Sequence, residues 1–269
     1  MVLNVIDVGA SVGLFGNFVA NQSHLDNGIH TVNVICIEPI PEIASKIIER
    51  ENLKVIVKAV LSEEMIPSDG VKRLNRSTNS ELSSFLDINP KIDERLWRTH
   101  LPSLVVESSI RVPCTTLEKI IQDSFWDRVD FLKIDVQGTD LAVFLSAGTE
   151  MSKIVSCVLE FPYLSSSAIY SGEKNLTEGI EILSLYGFIP VRIVPNGAGE
   201  CNVFFLNSNY SLEEYFQVEE LLQFVKAPTL KIGPHDPFIN FSITKRFAWR
   251  VIAKLYTLYE TRLKPWLKK

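Results

Sequence analysis

At 269 residues with 46% hydrophobic composition, the chain carries enough apolar material for a sizeable core, which excludes disorder as its overall state. The formal net charge of −5 argues against a general nucleic-acid binder, but it is unevenly placed: residues 244 to 269 hold eight Lys/Arg against Glu260 alone, while the first 243 residues hold 19 basic and 31 acidic groups. Four cysteines, Cys36, Cys114, Cys157 and Cys201, stand singly with no short Cys or His spacing, which excludes a zinc motif and fits buried thiols in a reduced, cytoplasmic setting.

The first element is a strand, VLNVIDV at 2 to 8, apolar up to one carboxylate. With no basic leader and Asp7 interrupting the run, it does not read as a signal peptide. A turn holding Gly9 and Gly13 follows, then a helix over 12 to 21 with Val12, Phe15, Val19 and Ala20 near one face. VNVICIE (32 to 38) is the second strand, ended by Pro39 and Pro41, with a helix from about 42 to 51. LKVIVKAV (53 to 60) is the third strand. This alternation predicts right-handed crossovers and a parallel sheet covered on both faces.

Residues 62 to 104 break the rhythm. The stretch is polar, rich in Ser and Asn, and too long for an ordinary connector, so it reads as a lid or substrate-binding insertion. VVESSIRVP (105 to 113) is a strand, TLEKIIQ begins a helix, and VDFLKIDV (129 to 136) is a buried strand ending on Asp135. Gly138 opens a helix through Ala147, KIVSCVLEF (153 to 161) is a further strand, and a helix spans about 175 to 186. YGFIPVRIV and CNVFFLN flank the turn PNGAGE, so these two strands are antiparallel. The fold class is therefore α/β, Rossmann-like, with helices on both faces of a mostly parallel sheet that closes with an antiparallel hairpin. The domain so defined covers 1 to 207, followed by a helical extension over 208 to 269.

No run of 18 apolar residues is free of charge, so no membrane-spanning helix is expected. In the tail, KRFAWRVIAKLYTLYETRLKPWLKK places Phe247, Val251, Ile252, Leu255, Leu258 and Tyr259 on one broad helical face. Two readings stand for it: peripheral contact with the inner face of an anionic membrane, with Trp249 and Trp266 at headgroup depth, or packing on the body or on a second copy of the chain with the basic face solvated.

Ligands of open α/β sheets bind beyond the carboxyl ends of the strands, and the polar residues placed there are Asp7, Glu38 and Asp135. An acid ending the second strand can accept both ribose hydroxyls of a nucleoside, each bond worth roughly 1.5 to 3 kcal/mol. Gly9, Gly13 and Gly16 form a GxxxGxxG pattern. It lacks the middle glycine a dinucleotide pyrophosphate needs, and no GK[ST] follows for a triphosphate, so a nucleoside without phosphates fits better.

DVGASVGLFG, IEP, VKAVLSEE, VPCTTLEKII and VDFLKIDVQGTDLAVFLSAG, in that order, resemble the FkbM-type branch of the class I methyltransferases, which use S-adenosylmethionine. The resemblance covers residues 2 to 165 and implies a seven-stranded sheet. It also implies that Gly9, Ala10, Ser11 and Gly13 line the methionine part of the cofactor, that Asp7 orders the turn, and that Glu38 takes the ribose. Pro39, Ala59 and Val60 would border the nucleoside, and Asp135 would face the acceptor. The chain departs from the family in having DVQG for DVEG, in starting at the first strand where the family carries a leader, and in its basic tail.

Methyl transfer to oxygen is an in-line displacement aided by a base. The candidates for that base are Asp135, His100 in the insertion, and Glu160 at the end of the 153 to 161 strand; by period-2 alternation Lys133 is instead a structural ion-pair partner. No metal is expected, because no second acid or His accompanies Asp135 at ligand spacing. The acceptor implied is a hydroxyl on a small molecule or glycan, and no nucleic acid is involved. Two other classes compete: a scaffold that binds a nucleoside without turnover, which Gln137 invites, and a nicotinamide-dependent oxidoreductase, which would need the missing glycine pattern.

Overall fold

The computed structural model describes residues 2–22, 31–97, 101–196 and 199–215. Of the extension expected over 208 to 269, residues 208–215 are described and 212–215 are helical; His100, the extension from 216 onward and with it the whole 244 to 269 tail lie outside the described residues. In chain order the elements are β1 (Val2–Val8), α1 (Leu14–Gln22), β2 (Thr31–Ile37), α2 (Pro41–Ala44), β3 (Leu53–Ile56), β4 (Ala59–Val60), β5 (Val71–Ser77), β6 (Val106–Thr115), α3 (Leu117–Ser124), β7 (Val129–Ile134), α4 (Asp140–Leu145), β8 (Ile154–Pro162), α5 (Leu176–Leu185), β9 (Phe188–Asn196) and β10 (Glu200–Asn207).

Seven strands form one sheet in the order β3-β2-β1-β7-β8-β10-β9. β1, β2, β3, β7 and β8 run parallel, and β10 lies antiparallel between β8 and β9. The chain thus starts at the sheet centre, builds outward to β3, then returns to lay β7 on the other side of β1. That reversal opens a crevice beyond the carboxyl ends of β1 and β7, where such sheets bind ligands. The apolar runs of β1, β2, β7 and β8 are buried because both faces are covered, and Phe15, Phe131 and Phe204 meet across the core. Thr116 caps α3 by accepting from the Lys119 amide, and Asn175 with Glu178 forms a capping box at α5. Among the described residues no helix is long and apolar enough to cross a membrane.

Three expectations change in detail. The strand expected over 53 to 60 is split: β3 stays in the main sheet, while β4 leaves it to pair with β6, whose other neighbour is β5 from the 62 to 104 insertion. The insertion therefore contributes β5 to a second, three-stranded sheet. The helix expected over 42 to 51 ends at Ala44. Its continuation is captured from outside: Arg50 bonds the Asn17 and Asn21 side chains of α1, Asn52 bonds the carbonyls of Ala20 and Val32, and the 50–53 bridge starts β3. The helix opened after Gly138 is confined to Asp140–Leu145, with a 3₁₀ turn over Gly148–Lys153.

The glycines after β1 serve packing. Gly9 has φ +77°, and a Cβ there would lie 1.9 Å from the Asp135 carbonyl oxygen; one on Gly16 would lie 2.2 Å from Cys36 Sγ. The first lets the ends of β1 and β7 touch, and the second seats α1 on β2.

Candidate functional site

The crevice at the switch point is a cleft of about 580 Å³, within the range of small-molecule sites. Its lining joins the ends of β1, β2 and β7 to β4, to residues 79–83 with Phe85 and Trp97 of the insertion, and to the β8 end and the β9–β10 hairpin. Among the residues singled out from sequence, the cleft gathers Asp7, Gly9, Ala10, Ser11, Glu38, Pro39, Ala59, Val60, Asp135 and Glu160. Gly13 is not among its lining; a Cβ there would run into Ile47 instead.

Four backbone donors of the β1–α1 corner are already engaged within the protein. The amides of Gly9 and Ala10 both donate to the Ile37 carbonyl, Gly13 donates to Ala10, and Ser11 donates to Glu38 Oε2 at 3.0 Å. Glu38 Oε1 accepts from the Ile40 amide, also at 3.0 Å. The anion held by this corner is thus the protein's own Glu38, which is buried. Burial pushes its carboxyl up from the usual range, while the two amides pull the other way. Each carboxylate oxygen has a further lone pair, so the corner offers acceptors to a ligand's hydroxyls rather than donors to a phosphate.

Lys133 sits between two carboxylates, 3.3 Å from Asp7 Oδ1 and 3.3 Å from Asp135 Oδ2. The Asp7 pair is a direct cross-strand neighbour in the β1–β7 register, as alternation predicted for this lysine. Burial pushes the fully enclosed Asp7 up, and Lys133 opposes it. For Lys133 burial disfavours the charge, but Asp135 and Asp7 outweigh it and hold the ammonium above the ordinary lysine range. Asp135 also accepts from Gln137 Nε2 at 3.0 Å.

At the far end, Glu160 accepts from the Asn196 side chain and lies beside Glu200. Both glutamates are pushed up by burial first and by neighbouring carboxylates second, so the pair holds a proton well above the usual carboxylate range. Six acids (Asp7, Glu38, Glu81, Asp135, Glu160, Glu200) and two lysines (Lys58, Lys133) line the cleft. Such a lining favours a cationic ligand over an anionic one.

Asn196 and Glu200 were not singled out from sequence, and the 62 to 104 insertion was read as a lid without the residues that wall the cleft, 79–83, Phe85 and Trp97, being named. PNGAGE was legible as a turn, but its place over the cleft depends on β10 inserting between β8 and β9. The insertion wall is fastened by a small core of Trp97, Leu104, Ile169 and Tyr170. Asn89 and Trp97 bond the carbonyls of Ile169 and Ser167, contacts across some 70 to 80 positions of chain that no local pattern announces.

Compared with known proteins, the chain matches the family described as the Methyltransferase FkbM domain over residues 7–190. No curated protein matches it. Nine chains of solved structures match it, and two of them show how weak the resemblance is. One is a SAM dependent methyltransferase from Aquifex aeolicus (14% identity, TM-score 0.37, covering 76% of this chain and 82% of that one). The other is CalO1, a methyltransferase in calicheamicin biosynthesis in its SAH-bound form (8% identity, TM-score 0.35, covering 76% of this chain and 48% of that one).

Proposed function

The chain belongs to the FkbM methyltransferase family, and we propose that it transfers a methyl group from S-adenosylmethionine to a hydroxyl oxygen, on a sugar of a glycan, glycolipid or related natural product. The sheet order, with its antiparallel end, is that of the class I methyltransferases. The observation that carries the reading is the β1–α1 corner: the amides of Gly9, Ala10, Ser11 and Gly13 are spent on Ile37, Glu38 and Ala10, and the buried Glu38 presents acceptors, so the corner suits a sugar's hydroxyls better than a pyrophosphate. This weighs against the nicotinamide alternative. The acidic lining supports the same reading, since the cofactor bears a sulfonium and an ammonium.

In this assignment Glu38 takes the ribose, Pro39, Ala59 and Val60 flank the nucleoside, and Asp7, Gly9, Ala10 and Ser11 border the methionine part. The cofactor supplies an electrophilic methyl on a cationic sulfur. The chain's own work is to hold the acceptor oxygen in line in a site shielded by residues 79–83 and Phe85, and to take its proton. We assign that step to Asp135 or Glu160, and the burial that pushes Glu160 up supports its use in proton transfer nearer neutral pH than a free carboxylate.

The test is incubation with methyl-labelled S-adenosylmethionine and a panel of sugar-bearing acceptors, followed by location of the label. Label on a hydroxyl oxygen, reduced by 10²-fold or more in Asp135→Asn or Glu160→Gln, is expected. Tight binding of S-adenosylhomocysteine with no transfer would leave the scaffold alternative, and label on nitrogen or carbon would refute the oxygen assignment.

A further inference from the structure

Gln137 stands against its backbone. Its φ is +59°, a left-handed conformation that glycine adopts freely and other residues rarely. Gly138 follows at φ +94°, its missing Cβ replaced by the Tyr170 ring at 2.9 Å. Nothing in the local chain calls for a long side chain at this point, yet every polar group of Gln137 that can reach the cleft wall is used. Nε2 donates to Asp135 Oδ1 at 3.0 Å; the Tyr170 hydroxyl lies 3.2 Å from Oε1 while also donating to the Leu82 carbonyl at 2.8 Å; and Ser84 Oγ donates to the Gln137 carbonyl at 2.6 Å. Asp135 is thereby gripped on one oxygen by Lys133 and on the other by a neutral amide.

We propose that Gln137 is a positioning residue: its amide fixes the Asp135 side chain in one orientation and couples it, through Tyr170, to the insertion wall that closes the cleft over the acceptor. The inference rests on the reading that Asp135 faces the acceptor hydroxyl. The Gln137 amide donates to the Asp135 carboxylate without adding a charge. The groups facing Asp135 are Lys133 on β7, Asp7 on β1, Glu160 on β8, Asp140 on α4, Glu200 on β10 and Tyr170 in the β8–α5 loop. With a single cation among these groups, an amide at position 137 supplies a donor without a further negative charge beside them. The glutamine that departs from the family's DVEG therefore does not count against catalysis.

Two variants separate the role from a merely structural one. Gln137→Gly relieves the backbone and keeps the carbonyl that accepts from Ser84, so it deletes the amide alone. Gln137→Glu keeps the shape and replaces the neutral donor with an acid. In the ligand-free protein, NMR couplings across χ1 of Asp135 are expected to report one rotamer in the wild type and averaging in Gln137→Gly, at an unchanged or higher melting temperature. Gln137→Glu is expected to add a titration step felt by the Asp135 carboxyl signal. With the acceptor identified by the labelling screen, Gln137→Gly should lower kcat roughly 10- to 100-fold with the KM for S-adenosylmethionine unchanged. An Asp135 that keeps one rotamer in Gln137→Gly overturns the inference, as does an Asp135 signal blind to the added acid. A wild type that transfers no methyl at all overturns the function reading instead, so the two failures are distinguishable.

Discussion

Replacing Glu38 tests the central assignment, and the structure decides which replacement is informative. Glu38→Ala would strip the acceptor from the amides of Ser11 and Ile40, leaving two donors unmet at about 1 to 3 kcal/mol each. The corner would be disturbed before any ligand arrived. Glu38→Gln keeps the shape and one acceptor oxygen while removing the charge. The charge-assisted share of the ribose contacts is roughly 1.5 to 3 kcal/mol, so at the upper part of that range affinity for S-adenosylhomocysteine falls about 100-fold. At a concentration of 100 times the wild-type dissociation constant, the wild type gains ~2.7 kcal/mol and the variant, now at only its own dissociation constant, ~0.4 kcal/mol. At ~2 to 4 °C per kcal/mol for a domain of this size, thermal unfolding should show a ligand-induced rise of about 5 to 11 °C in the wild type and about 1 to 2 °C in Glu38→Gln. Each shift is read against that protein's own ligand-free melting temperature, which removes any change in intrinsic stability. Equal shifts in the two proteins would mean that Glu38 does not hold the ligand and that its contacts to Ser11 and Ile40 are its whole role.

Two further outcomes follow from the same geometry. Gly16→Ala drives a methyl into Cys36 Sγ and should cost about 1 to 3 kcal/mol; adding Cys36→Ala should restore at least about 1 kcal/mol, so additive losses in a double-mutant cycle by chemical denaturation would refute the packing account. Burial pushes the Glu173 carboxyl up to about 7, above its unfolded value, so its contribution is fully present below about pH 4.5 and is lost as pH rises toward 7 to 8. Discounted for partial solvent access, the loss is about 1 to 2 kcal/mol; the wild type should unfold at lower denaturant at pH 8 than at pH 5.5, and Glu173→Gln should flatten that slope, whereas an unchanged slope would assign it elsewhere.

The elements legible from sequence were those whose physics is local or periodic. β1, β2, β7 and β8 read as buried strands because β-branched runs with both faces covered need no partner to be recognised, and the closing hairpin read as antiparallel because six residues cannot make a crossover. The acids at strand ends, Asp7, Glu38 and Asp135, were visible for the same reason: a carboxylate terminating an apolar run is conspicuous wherever it lies. Their partners were not. That Glu38 is itself the anion bound by the glycine corner follows from Ser11 and Ile40 pointing at one side chain, which spacing alone does not reveal. The glycine pattern, likewise, suggested room for a ligand, whereas Gly9 and Gly16 make room for Asp135 and Cys36.

The sequence by itself determined the α/β alternation, the parallel centre with its antiparallel close, the GxxxGxxG spacing after β1 and the family resemblance, because each is written in short-range order: the period of apolar residues, the length of a connection, the spacing of glycines. Tertiary structure alone decided that β4 deserts the main sheet for β6, that residues 79–83 and Phe85 wall the cleft, that Glu200 joins Glu160, and that Gln137 ties Asp135 to Tyr170. Those pairings bring together residues tens of positions apart, and their energies depend on burial and on opposing charge, quantities that exist only once the chain has closed on itself.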